Sequence, residues 1–65
     1  MNQEIIKEWL LALYEDAISE AKATIANERM WEKGSVTSIE ASAHHRNIEL
    51  QEEYIETLEN LKRQI

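Results

Sequence analysis

Cysteine, proline and phenylalanine are absent from these 65 residues, and glycine occurs once. Without cysteine there are no disulfides and no thiolate metal ligands, so the fold must hold by packing alone. Without proline, and with a single glycine, few backbone breakers interrupt the chain, which points to long helices. Basic residues are the minority: seven Lys and Arg against thirteen Asp and Glu give a formal charge of −6. That balance disfavours nucleic-acid phosphate and anionic lipid as partners and is compatible with a basic protein surface. No apolar run approaches the roughly 20 residues that a membrane span needs. The opening MNQEIIKEWLLALYED contains acids and lacks the basic stretch of a secretory leader. A cytoplasmic protein without membrane contact is the expectation.

A chain of this length forms a single domain, residues 1–65, and buries only roughly 60% of the surface that it exposes when unfolded. Small folds compensate with disulfides, a metal or a partner subunit. Here self-association is the means that remains.

What is present reads as two amphipathic helices. Spaced at about 100° per residue, Ile6, Leu10, Leu13, Tyr14, Ala17, Ile18, Ala21, Ile25 and Trp31 gather on one broad face, with Glu4, Glu8, Glu15, Ser19 and Lys22 opposite. This predicts a helix over about 2–33, with Asn2 as its N-cap. Lys33 followed by Gly34 matches a helix stop. The run Thr37-Ser38-Ile39-Glu40 then has the spacing of a capping box. In that motif the Thr37 hydroxyl accepts from the Glu40 N–H and the Glu40 carboxylate from the Thr37 N–H, with Val36 stapled against Ala41. The turn is therefore 34–37, and a second helix runs over about 38–64. Its apolar face gathers Ala43, Ile48, Leu50, Tyr54, Ile55, Leu58, Leu61 and Ile65.

A short loop between two long helices folds them into an antiparallel hairpin. One seam does not use up the apolar residues: Trp9 and Leu11 widen the first face, and Leu50, Tyr54 and Leu61 widen the second. An all-α hairpin that pairs with a second copy as a four-helix bundle is the expected architecture. Within each hairpin Trp9, Leu10 and Leu13 are expected to meet Ile55, Leu58 and Leu61 at the open end. Small residues, among them Ala21, Thr24, Ala41 and Ala43, should line the seam near the turn.

Three groups of residues are candidates for function. Glu40, His44, Asn47 and Gln51 lie on the arc that becomes apolar later in the second helix, with Arg46 beside them. They form either polar packing that fixes register or a pocket for a small anion or a metal ion. A zinc site needs three or four ligands, and no second His or Cys cluster supplies them, so no metal or cofactor is expected. Phosphotransfer histidines also sit on helical bundles, but Arg46 points away from His44. The second group is the tract NIELQEEYIETLEN, in which Glu49, Glu52, Glu53, Glu56 and Glu59 occur without an intervening base. It is either a solvated face or a surface for a basic partner. The third is the apolar edge of Trp9, Leu11, Leu50, Tyr54 and Leu61, available to a second copy or to a target.

No nucleophile–base pair, glycine-rich phosphate loop or pair of catalytic carboxylates is present. The expectation is a non-catalytic interaction module. Its size and charge are those of small accessory products of phages and other mobile elements, which often act as stoichiometric inhibitors of a host protein, although no motif carries that likeness. A ligand-binding bundle centred on His44 and a purely structural dimerisation element are the alternatives.

Overall fold

Each helix begins and ends where the backbone finds a substitute partner. The Asn2 side-chain oxygen accepts the Glu4 N–H at 2.9 Å and opens α1, Gln3–Lys33. At its far end the Gly34 N–H donates to Met30 O, and the Ser35 hydroxyl donates to Trp31 O at 2.8 Å. The Thr37 hydroxyl accepts the Glu40 N–H at 3.1 Å and opens α2, Ser38–Arg63. Lys62 and Arg63 occupy its last turn, where cations favour the helix dipole. These two helices, in a computed structural model that describes residues 2–65, pack against each other as an antiparallel hairpin.

The turn departs from expectation in three details. The Glu40 carboxylate accepts the N–H of Val36, at 3.2 Å, rather than that of Thr37. Val36 makes no staple against Ala41, because its side chain is 90% exposed. Gly34 stops α1 with φ −87° and ψ 0°, so its position does not demand the left-handed conformation that makes glycine special.

Side chains shielded from solvent follow one spacing in both helices. In the first they are Leu11, Tyr14, Ile18, Ala21, Ile25, Glu28 and Glu32, continued by Ser35 in the turn. In the second they are Ala41, His44, Ile48, Gln51, Ile55, Leu58 and Lys62, continued by Ile65. Steps of three and four alternate throughout, which is the heptad rule of a coiled coil. Only Ala17 and Glu59 are shielded outside it among the described residues. Ile18, Ala21, Ile25, Ile48 and Leu58 are the buried core, and no side chain among the described residues is sealed completely.

Cross-helix contacts of Glu15 with Lys62, Glu28 with Asn47 and Glu32 with His45 fix the register. In that register Ile55 and Leu58 lie near Ala21 and Ile18, not against Trp9, Leu10 and Leu13 as expected. Ile65 closes the end of the seam in a shallow cleft with Ile6 and Leu10. α1 has 31 residues and α2 has 26, so the first turns of α1 project past the end of α2. Ile5 and Trp9 lie on that projection and are exposed.

The hairpin is a rod of 54 × 15 × 12 Å with a radius of gyration of 15.6 Å. A globular chain of this length has a radius near 11 Å. Its accessible surface is 5179 Å², about 900 Å² more than the roughly 4,300 Å² typical of a monomer of this mass.

Candidate functional site

In an antiparallel pair the same-sense flanks of both helices lie on one side of the seam. One side carries Ile6, Leu10, Leu13, Ala17, Thr24 and Trp31 from α1 beside Ala43, Asn47, Leu50, Tyr54 and Leu61 from α2, with Glu20, Asn27 and Thr57 as its polar interruptions. Leu13 is 63% exposed and Trp31 59%, although both belong to the face expected to be buried. The heptad seam accounts for this: it takes Leu11 and Tyr14, a third of a turn away, and leaves Leu10 and Leu13 beside it. Leu11, expected at the apolar edge, is therefore a seam residue and half-buried. Trp9 points away from the seam on the overhang, and Leu50, Tyr54 and Leu61 lie on the apolar flank.

The opposite side of the hairpin is charged. Glu15, Ser19 and Lys22 of α1 share an open groove with Glu59, Lys62 and Arg63 of α2. Nearer the turn, Arg29 and Lys33 share a second groove with His45 and Glu52. Lys62 reaches Glu15 at 3.3 Å, and His45 lies between Glu49 and Glu32, at 3.1 and 3.6 Å. Arg46 donates to Glu49 at 3.1 Å. Glu52, Glu53, Glu56 and Glu59 make no ion pair among the described residues, so four carboxylates of the tract are uncompensated. Glu59 is half-buried beside the seam and the other three are exposed.

The polar set around His44 is assembled differently from the sequence expectation. His44 Nδ1 contacts Glu28 Oε2 at 2.5 Å, with side-chain exposures of 25% and 13%. An ionised carboxylate only accepts, so the bond places a proton on Nδ1. Asn47 donates to the same oxygen at 3.5 Å, and the Trp31 ring meets the imidazole edge-on, 5.7 Å between centroids. The cluster therefore joins Glu28 and Trp31 of α1 to His44 and Asn47 of α2. Glu40 is occupied at the helix cap, Gln51 lies about two turns further along α2, and Arg46 turns to Glu49. Glu28 went unnoticed in the sequence because its partner lies on the other helix. Its one available signal was a carboxylate at a heptad seam position.

Chemically, this cluster holds and orients an imidazole. The hydroxyls of Thr24, Ser35 and Thr57 donate to helix carbonyls at Glu20, Trp31 and Glu53. Among the described residues no three His, Cys, Asp or Glu side chains stand together as metal ligands. No helix among them is long and apolar enough to cross a membrane. A scan against protein-family models, a search of curated proteins and a search of solved structures each return no match for this chain.

Proposed function

We propose that this protein is a non-catalytic interaction module of the cytoplasm that self-associates as a four-helix bundle and offers its acidic face to a basic surface of another protein. The observation that carries this reading is the segregation of the two sides. Most apolar side chains that the seam cannot cover lie on one flank, where Glu20 is the exception, and the carboxylates of the glutamate tract lie mainly toward the other. An apolar flank favours burial against a like surface, whereas exposed carboxylates retain their hydration and act at longer range. Stoichiometric inhibition of a basic site is one action open to such a module.

Affinity capture from a source lysate, with and without the charges, tests the acidic face. The wild-type chain should retain a specific basic protein at low salt and release it as salt rises. A variant with Glu49, Glu52, Glu53, Glu56 and Glu59 changed to Gln should retain little. Equal retention by both chains, or no retention by the wild type, rejects the acidic face as the binding surface.

A further inference from the structure

We infer that the apolar flank is closed by a second copy of this chain lying head to tail, so that each open end covers the other copy's turn. This rests on the self-association proposed above and specifies its face and direction. Area, side-chain size and charge each bear on it. The hairpin exposes about 900 Å² more than a compact monomer of its mass, close to the roughly 800 Å² that each partner contributes to a standard interface.

Side-chain size is uneven along the flank. Ile6, Leu10, Leu13 and Leu61 stand near the open end, while Thr24, Ala43 and Asn47 stand toward the turn together with Leu50 and Trp31. Placed head to tail, the leucines of each open end lie over the half that holds the small side chains. Placed turn to turn, leucine meets leucine at one end and Trp31 meets Trp31 across small side chains at the other, a less even layer for close packing.

Charge selects the same direction. Residues 2–18 and 50–65, the open half, carry eight acids against three bases, whereas 19–49 carry five against four. A turn-to-turn dimer brings the two strongly acidic halves together; head to tail sets each against the nearly balanced half of its partner. The α1 overhang also finds a surface in this arrangement, because Ile6 of one copy falls beside Trp31 of the other.

The absence of cysteine makes the test direct. Val36 is 90% exposed at the tip of the turn, so Val36→Cys accepts a spin label without disturbing the seam. Light scattering of the full chain gives the mass, and electron–electron dipolar spectroscopy gives the separation of the two labels. A head-to-tail dimer places them roughly a helix length apart, on the order of 45 Å for 31 residues at 1.5 Å each. A turn-to-turn dimer places them about 20 Å apart or less, given helix spacings of 8–10 Å. A dimeric mass with the short distance overturns the direction and leaves self-association standing; a monomer up to millimolar concentration overturns both. Leu13→Lys, at an exposed position that leaves the hairpin seam intact, should weaken dimerisation at least tenfold. An unchanged mass curve for a variant that is still helical by circular dichroism overturns the face.

Discussion

At the scale of single residues, the most informative position is Glu28, a carboxylate at a seam position one turn from the buried Ile25. It remains there because His44 and Asn47 both bond to one of its oxygens. A partly buried charge that loses its partner keeps its desolvation cost and loses its compensation. Removing either member should therefore cost much of what removing both costs. In urea denaturation of Glu28→Ala, His44→Ala and the double variant, the coupling should be about 1 kcal/mol, within the range for residues in direct contact. Additive effects would mean that the contact contributes nothing to stability. Gly34 provides a contrast. With φ at −87° and the nearest atom to an added Cβ being Met30 O at 3.6 Å, alanine fits without strain. Gly34→Ala should stabilise the protein by about 0.4–1 kcal/mol through the unfolded chain. A loss of stability would show that glycine is needed there for its conformation.

At the scale of the helices, what the sequence disclosed and what it hid divide along a physical line. Caps are local: Asn2, Thr37 and Glu40 act within four residues of themselves, so both starts and the bend were legible from composition and spacing. Facing is not local. Periodicity at 100° per residue draws a wide apolar arc and cannot say which edge of it meets the other helix. Leu10 and Leu13 belong to the expected core face with Tyr14, and Leu11 to its edge, yet the cross-helix register puts Leu11 in the seam and leaves Leu10 and Leu13 beside it. Ile5 and Trp9 are exposed for a related reason, since α1 outruns α2. This inequality separates the two caps in energy. Thr37 holds the start of α2 at the turn, next to the paired part of the hairpin, and Thr37→Ala should cost about 1 kcal/mol. Asn2 caps an unpartnered overhang that frays independently of the core. In denaturation at micromolar concentration, Asn2→Ala should lie within a few tenths of a kcal/mol of the wild type. Equal losses at both caps would mean that the overhang unfolds together with the rest.

At the scale of the whole molecule, the hairpin has the length of a larger protein and the core of a small one. Five buried side chains, the largest an Ile or a Leu, hold together a rod of 54 Å. Two-helix hairpins with so narrow a seam gain stability chiefly by covering their flanks. In the self-association proposed above, stability depends on mass action, so the melting temperature of this protein should depend on its concentration. A hundredfold rise in concentration adds about 2.7 kcal/mol per dimer, or roughly 1.4 kcal/mol per chain. For a domain of this size that corresponds to a rise of about 5–10 °C. Tryptophan emission should change with it. Trp31 is 59% exposed on the apolar flank of the single hairpin, whereas Trp9 projects from the overhang away from the seam. Closing the flank removes Trp31 from water first, so the emission should shift to shorter wavelength as concentration rises, and Trp31→Phe should abolish most of that shift. Trp9→Phe should leave most of it. A melting temperature and an emission maximum that both stay fixed from micromolar to millimolar would mean that the seam alone sustains the fold. The flank would then be open to a protein of a different kind, and both faces of the hairpin, not the acidic one alone, would be surfaces for other proteins.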